Sequence, residues 1–382
     1  MTTSADMYDL LITAGRVFCA DTGLDGPGAV AARGDRIVAA GPDVKGTAGL
    51  NLDYPDALLL PGLVDMHAHP ARGGSRFGVD PDTHFLPRGV TTCLSQGDAG
   101  ALNWQAYRQE VVHGCRTRVR LALHLSKTGE SPPDHCFEHV ENADVDLCVD
   151  TIAEAGEDIW GIAFNTVLEP RLAHDPREIM RRGVEAAERS GRPILYGPRF
   201  NIDFPLEEQL RFLRAGDLFT YTFSPRPDNI IAGGRVRRAV RDARDRGVLF
   251  DGCHGMQSFS FPHAEQAIAE GFYPDTISTD QYNAHAGADP PHHLPRTMSK
   301  YIAAGMPEAE VFPRATARPA ELLGLKGEAG TLAPGACADI AVLRWNPDGR
   351  LADVLGVERH AGSWEPLATV KSGELVDQDC PN

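Results

Sequence analysis

Two histidines, His67 and His69, follow an apolar run that contains Leu58–Leu60 and Leu63–Val64. Residues two apart in a β-strand point to the same side of the strand. Both imidazoles should therefore leave the end of one buried strand in the same direction, as two ligands of one metal ion must. His-x-His pairs also occur by chance, so the metal interpretation depends on what the other elements bring beside this pair.

The elements around the pair alternate between short apolar runs and helix-like stretches. Typical helix-like stretches are residues 176–189 and 262–271. The eight strand-like runs are residues 58–66, 89–94, 119–125, 159–164, 193–196, 217–223, 247–251 and 275–280. Eight alternating βα units predict an α/β fold of the (β/α)8 TIM-barrel type. A doubly wound open sheet is the competitor, but no Gly-x-Gly-x-x-Gly turn follows any of the runs.

Both ends of the chain have a different character. The first 57 residues and the last 53 read as short strands with tight turns and few helices. We therefore predict a small β-sandwich domain formed by residues 1–57 and 330–382, with the barrel in residues 58–329.

Barrel closure makes strand 1 the neighbour of strand 8, and the active site of such barrels lies at the carboxyl ends of the strands. His67 and His69 end strand 1, and Asp280 ends strand 8. Two imidazoles and a carboxylate are a suitable set for a divalent metal. The carboxylate could also take a proton from a water molecule made acidic by the metal. An aspartate that only caps a helix is the alternative for Asp280.

Composition limits the function classes. The net charge of −16, from 37 basic and 53 acidic residues, argues against nucleic acid or an anionic membrane as a partner. Eight scattered cysteines without a Cys-x-x-Cys pair fit reduced thiols, and we expect a cytoplasmic protein. Only Cys93 and Cys253 fall where chemistry could use them.

The motifs closely resemble the amidohydrolase superfamily, in particular its dihydroorotase-like branch with deacetylases of acylated hydroxy or amino acids. The resemblance rests on the segments around His67 and Asp280 and on residues 89–101, 248–261, 271–280, 294–301 and 338–342. It implies a metal-dependent barrel flanked by a β-sandwich. Family members are often oligomeric, so a homo-oligomer is an expectation by analogy.

Three departures from the branch are visible. The resemblance implies a metal-bridging lysine at the end of strand 4 and metal-binding histidines at the ends of strands 5 and 6. Ala163, Gly197 and Tyr221 stand at these positions. A two-metal centre cannot form from these residues, so we expect one divalent metal ion, with Zn²⁺ the expected element.

Other residues could complete such a site. His124 follows strand 3 and is the candidate for a further metal ligand, with Cys93 and His285 as alternatives. Cys93 would act as a cysteine does in the related D-aminoacylase type of site. His254 follows strand 7, where the resemblance implies contact with the substrate.

Two arginines, Arg199 and Arg226, follow strands 5 and 6 on the same side as the histidines. Guanidinium groups suit carboxylates, so we predict a small carboxylate-bearing substrate bound by these arginines and Tyr221. Surface arginines paired with acidic residues are the alternative.

The leading hypothesis is a metal-dependent hydrolase of an amide, cyclic amide or ester bond in a small molecule. Asp280 would act as the general base and His254 would polarise the scissile carbonyl. Two alternatives stay open. One is a lyase or isomerase that uses Tyr221 or His254 as acid or base, and the other is a catalytically silent barrel that binds a ligand or a partner subunit.

Overall fold

The computed structural model describes residues 7–131, 136–166 and 175–377. The described residues contain eighteen strands. These are β1 (Met7–Cys19), β2 (Leu24–Arg33), β3 (Arg36–Gly41), β4 (Thr47–Pro61), β5 (Leu63–Ala68), β6 (Val90–Gln96), β7 (Arg118–His124), β8 (Ile159–Asn165), β9 (Ile194–Gly197), β10 (Leu218–Phe219), β11 (Ile231–Ala232), β12 (Arg235–Val236), β13 (Leu249–Phe250), β14 (Ile340–Asn346), β15 (Arg350–Ala352), β16 (Glu358–His360), β17 (Ser363–Lys371) and β18 (Glu374–Leu375).

Helices lie between the strands of the middle of the chain. They are α1 (Pro81–His84), α2 (Trp104–Tyr107), α3 (Val145–Ala155), α4 (Pro176–Ser190), α5 (Leu206–Phe212), α6 (Arg238–Asp245), α7 (Phe261–Ala269), α8 (Leu294–Ala303), α9 (Glu308–Val311) and α10 (Ala317–Leu322). Of the predicted helices, residues 176–189 form α4 and residues 262–271 form most of α7. In the described ranges, no helix is long and apolar enough to cross a lipid bilayer.

The central sheet has seven parallel strands in the order β13-β10-β9-β8-β7-β6-β5. Strands β5, β6 and β8 are buried along their whole length, which is typical of parallel strands covered on both faces. An eighth segment, residues 276–281, joins both edges of this sheet. Thr276 forms a parallel bridge with Asp251, and Gln281 forms one with Ala68. The sheet therefore closes into the predicted barrel, with strand 8 beside strand 1.

A second sheet gathers both ends of the chain, in the order β18-β17-β14-β4-β1-β2-β3. Strand β14 pairs antiparallel with the last residues of β4, where Leu59 faces Val342. The predicted domain boundary at residue 58 therefore falls inside β4, whose end still belongs to this sheet. The first barrel strand is β5, Leu63–Ala68.

The junction between the two sheets is tightly packed. A Cβ on Gly62 would lie 2.2 Å from the Thr91 side chain and 2.9 Å from Asp339. Glycine is therefore required where the chain passes from β4 into β5. Beside this junction, the barrel interior is filled by apolar side chains, among them Val64, Met66 and Leu94. This packing gives the residues at the strand ends a rigid base.

Candidate metal centre and pocket

The two histidines stand at the end of β5 and are oriented through their Nδ1 atoms. His69 Nδ1 donates to Asp98 Oδ1 at 3.0 Å, because an ionised carboxylate can only accept. His67 Nδ1 lies 2.9 Å from Thr220 Oγ1, and that hydroxyl donates its own proton to Asp251 at 3.0 Å. His67 Nδ1 must therefore also be a donor. Both imidazoles therefore carry a proton on Nδ1 and turn Nε2 towards Asp280.

Asp280 meets both rings. Its Oδ1 lies 3.5 Å from His67 Nε2 and 3.3 Å from His69 Nε2. The backbone holds it there, because Asp280 N donates to His67 O at 2.7 Å. Asp280 is a non-glycine residue with a positive φ, 51°, and Tyr221 beside it has φ 58°. Such backbone conformations cost energy and concentrate at functional sites.

Two imidazole nitrogens thus face one carboxylate oxygen. This arrangement is stable only with a positive charge among them, either a proton or a metal ion. Burial by itself would lower the pKa of His69, but Asp98 and Asp280 raise it to about 10. Burial would likewise raise the pKa of Asp280, but His67 and His69 lower it below the usual range of an aspartate.

The distances also suit a metal. Ligands about 2.1 Å from a tetrahedral ion lie about 3.4 Å from one another. The 3.5 Å and 3.3 Å separations from Asp280 Oδ1 match this spacing. Each histidine therefore stands at metal-ligand distance from Asp280 Oδ1, and closer approach of the two imidazoles, whose ring centres are 6.3 Å apart, would complete a three-donor site.

A fourth donor lies beside this group. The ligand atoms of His67, Cys253 and Asp280 are all within 4.8 Å of one another, and all three residues are buried. Burial raises the pKa of the Cys253 thiol, so in the absence of a metal it is protonated.

Of the three positions where the resemblance implies lost metal ligands, Tyr221 lies beside this centre. Ala163 packs with apolar side chains of the barrel interior. A Cβ on Gly197 would meet the side chain of Asn165 at 2.7 Å. The Tyr221 hydroxyl lies 3.3 Å from both His67 Nε2 and Asp280 Oδ2. Burial raises the pKa of Tyr221 well above its ordinary value, so this hydroxyl keeps its proton and can donate it to Asp280 or to a ligand.

A pocket of about 530 Å³, open to solvent, leads to this centre. Residues at or after the ends of most barrel strands line it, and all but Met256 are aromatic or polar. The lining residues are His69, Phe77, Gln96, Glu130, Asn165, Tyr221, Arg226, Met256, Gln257, Ser258, Asp280 and Tyr282. Polar groups converging on a concave site beside a metal-binding group are the usual arrangement of an enzyme pocket.

The two predicted arginines differ sharply. Arg226 lines the pocket and donates to Gln257, and its guanidinium stacks on Phe200. Among the residues that the structure describes, no carboxylate pairs with Arg226. Arg199 instead forms an ion pair of 2.7 Å with Asp203. Arg226 is thus free to take an anionic ligand, whereas the charge of Arg199 is already matched.

His254 is engaged on both nitrogens. Its Nδ1 donates to Gly255 O at 2.6 Å, so its Nε2 accepts from Lys300 Nζ, also at 2.6 Å. Burial, and next the charge of Lys300, lowers the pKa of His254 well below its ordinary value. Burial and the nearby Arg296 lower the pKa of Lys300 to about 7. The predicted role of His254 at a scissile carbonyl would require Lys300 to release it.

His124 is placed in another cluster, with Glu130 and Cys136. Its Nδ1 accepts a hydrogen bond of 3.0 Å from Ser126 N, so its proton is on Nε2, which lies 3.8 Å from Glu130 Oε1. A protonated Nε2 cannot bind a metal. His124 therefore lies in a cluster apart from Asp280, and its metal role stays a prediction that this tautomer does not favour.

The remaining candidates have other partners. Cys93 packs in the layer between the barrel and its helices, with Phe85 and Val119. His285 accepts from Tyr282 N at 3.2 Å and stacks on His292 with ring centres 4.1 Å apart. These contacts do not point the side chain of Cys93 or of His285 towards Asp280.

Sequence reasoning missed the residues that orient the metal-facing histidines. Asp98 accepts from His69, from Ser75 at 2.6 Å and from Ser95 at 2.6 Å. Asp251 accepts from Ser278 at 2.6 Å, in addition to Thr220. A usable signal was present for both, because each is an acidic residue at or just after the end of a buried strand.

Comparison with known proteins finds chains of similar sequence and similar fold. A model of the amidohydrolase family matches residues 260–376. A deacetylase from Agrobacterium fabrum is 29% identical over 321 residues, which are 80% of this chain and 75% of that protein. The crystal structure of an adenine deaminase superposes with a TM-score of 0.86 at 25% identity, covering 97% of this chain and 100% of that one. A dihydroorotase structure gives a TM-score of 0.84 at 25% identity, with 96% and 97% covered.

Proposed function

We propose that the chain is a carbon–nitrogen hydrolase of the amidohydrolase superfamily, which removes an acyl group from a small, carboxylate-bearing amide at a site with one metal ion. The match to the family model and the deacetylase relative both agree with the family that the sequence motifs resemble. The number of metal ions and the substrate class are our proposal.

One observation carries the proposal. His67 Nε2 and His69 Nε2 each face Asp280 Oδ1 at metal-ligand spacing, and both Nδ1 protons are held by other acceptors. A purely structural barrel has no need of such an arrangement, which is costly without a bound cation. It therefore supports a functional metal centre over a silent barrel.

His67, His69 and Asp280 would hold the metal. When bound, a divalent ion supplies Lewis acidity, which polarises a carbonyl group and makes a water molecule more acidic. Asp280 stays ionised, and its Oδ2 can accept the proton of an attacking water and return it to the leaving nitrogen. The Tyr221 hydroxyl, beside the same oxygen, would donate to the carbonyl oxygen as negative charge develops there.

Arg226 would orient the substrate. A guanidinium in a pocket with no acidic partner among the described residues favours a ligand that brings a carboxylate. The deacetylase relative supports an acyl group as the part removed. We therefore propose N-acyl amino acids as the substrate class.

A panel of N-acetyl amino acids, with matched N-acetyl amines that lack the carboxylate, tests this proposal by amine release. We expect hydrolysis of the acids, and a loss of at least about 100-fold in kcat in Asp280→Asn, because a general base contributes 10²–10⁴-fold. Arg226→Gln should raise KM for the acids and leave the amines unchanged.

The control is Arg199→Gln, which removes an arginine of the same face that already pairs with Asp203. This variant should retain the KM of the wild type. Full activity in Asp280→Asn would refute the proposed chemistry, and an equal effect of the two arginine substitutions would refute the role of Arg226.

A further inference from the structure

The metal centre as proposed has three protein donors, and a fourth side chain can reach it. We propose that Cys253 binds the same metal ion as a thiolate, which makes the centre selective for a thiophilic metal such as zinc. This inference rests on the proposed metal site. It adds a ligand that fixes the identity of the metal.

The position of Cys253 follows from backbone pairing. Residues 252–255 follow β13 and run beside the segment that ends in Asp280. Gly252 N donates to Thr276 O at 2.8 Å, His254 N to Ser278 O at 3.2 Å and Gly255 N to Thr279 O at 3.0 Å. The turn that carries Cys253 is thereby tied to the segment that carries Asp280, so the thiol and the carboxylate are held as one unit.

The donor atoms converge. Cys253 is 1% exposed, and its Sγ lies within 4.8 Å of a ring nitrogen of His67 and of a carboxylate oxygen of Asp280. A metal–sulfur bond of about 2.3 Å and a metal–nitrogen bond of about 2.1 Å need the two ligand atoms about 3.6 Å apart. Even at the 4.8 Å limit, a side-chain adjustment of about 1.2 Å meets this requirement for His67 and Asp280.

Two other buried cysteines of the barrel, Cys93 and Cys136, do not fit the role. Cys93 packs on the outer side of β6 with Phe85. Cys136 lies beside His124, whose Nε2 carries the proton and cannot bind a metal. Cys253 is therefore the thiol that the described part of the chain directs at the centre.

Charge supports the assignment. Two neutral imidazoles, one carboxylate and one thiolate balance the two positive charges of the ion, so a buried centre carries no net charge. Binding converts the thiol to a thiolate: the S–H bond breaks, the sulfur–metal bond forms, and the proton is released to solvent. A zinc ion held by these four side chains would take up substrate or water as a fifth ligand, an expansion that catalytic zinc sites sometimes make.

Thiolate ligands favour zinc and cobalt over magnesium and manganese. Removing the thiolate should therefore weaken zinc binding much more than manganese binding. This selectivity distinguishes a ligand from a cysteine that merely packs nearby.

The test is cobalt substitution, which does not depend on turnover. The wild-type chain is stripped of metal, loaded with one equivalent of Co²⁺, and examined for a thiolate-to-cobalt charge-transfer band in the near ultraviolet. We expect this band in the wild type and in the control Cys93→Ser, and its loss in Cys253→Ser. Zinc affinity of Cys253→Ser, from competition with a chelator, should fall by more than about tenfold.

Cadmium NMR of the wild type needs no substitution, and a sulfur-shifted resonance is expected even if Cys253→Ser fails to fold. One bound cobalt without a sulfur band overturns the inference but leaves the three-donor centre intact. A band that survives in Cys253→Ser also overturns it. Failure of the substrate panel with the band present would instead refute the proposed function alone.

Discussion

The two imidazoles of the centre depend on different partners for their orientation. His69 is held by the carboxylate of Asp98, and His67 is held by the hydroxyl of Thr220, which relays to Asp251. A carboxylate on Nδ1 makes the other nitrogen a stronger metal ligand. Hydrogen-bond direction, more than distance, separates these histidines from His124, which the backbone holds in the opposite tautomer.

Asp98→Asn tests this orientation. Asparagine keeps the size and an acceptor oxygen but removes the charge, so His69 Nε2 becomes a weaker ligand. Metal affinity should fall about 10–100-fold, as it does when such supporting groups are removed elsewhere. Chelator competition measures the affinity.

Ser75→Ala is the matched control, because it removes a hydrogen bond to the same carboxylate without removing the charge. Its effect should be clearly smaller. An unchanged affinity in Asp98→Asn would show that Asp98 does not support the metal ligand.

For single residues of the site, the sequence predicted some positions and not others. His67 and Asp280 could be placed together, because barrel closure alone brings their strands side by side. Arg199 and Arg226 could not be separated, since the pairing of Arg199 with Asp203 arises from the path of the loop after β9. The sequence marked Cys253 only as a thiol near a strand end. The direction of its side chain depends on the backbone hydrogen bonds of residues 252–255, which leave no signal in the sequence.

Among the elements, α8 begins at a buried polar junction with β17. His293 Nδ1 accepts from Arg296 N, and its Nε2 donates to Glu365 Oε2 at 3.1 Å. Burial would raise the pKa of Glu365, but hydrogen bonds from His293 and Ser363 and the charge of Arg296 lower it to about 2. This carboxylate therefore stabilises the fold only while it is ionised.

The pH dependence of stability follows with a definite sign. A carboxylate with a lowered pKa contributes its full stability above the unfolded pKa, about 4.5, and loses it as pH falls towards 2. We expect Glu365→Gln to lower the free energy of unfolding by about 1–2 kcal/mol at pH 7, allowing for partial solvent screening.

Urea unfolding at pH 7 and at pH 3 checks this prediction. The difference between wild type and Glu365→Gln should shrink at the lower pH, where the wild-type carboxylate begins to take up its proton. A difference that stays constant with pH would contradict the assignment of the stabilisation to the charge.

For the whole molecule, the two sheets meet through a buried ion pair. Lys371 Nζ, on β17, donates to Asp339 Oδ2 at 2.8 Å and to Thr91 O, on β6, at 3.2 Å. The pair thus links the sheet formed by the chain ends to the barrel. The sequence indicated both sheets from their strand patterns, but long-range pairs such as this one leave no local signal.

Breaking the pair should be costly. Asp339→Asn leaves the Lys371 ammonium buried without a counter-charge, and we expect a loss of about 3–5 kcal/mol in the free energy of unfolding. The double variant Lys371→Met/Asp339→Asn should recover part of this loss. Denaturation curves of the four proteins of the cycle measure the coupling, and additive losses would contradict it.

The central claim, a single metal centre at His67, His69 and Asp280, is tested most directly by the metal content of the chain purified without chelators. Elemental analysis should give close to one equivalent of zinc per chain, and almost none in the double variant His67→Ala/His69→Ala. Two equivalents per chain, or metal retained in the double variant, would contradict the account.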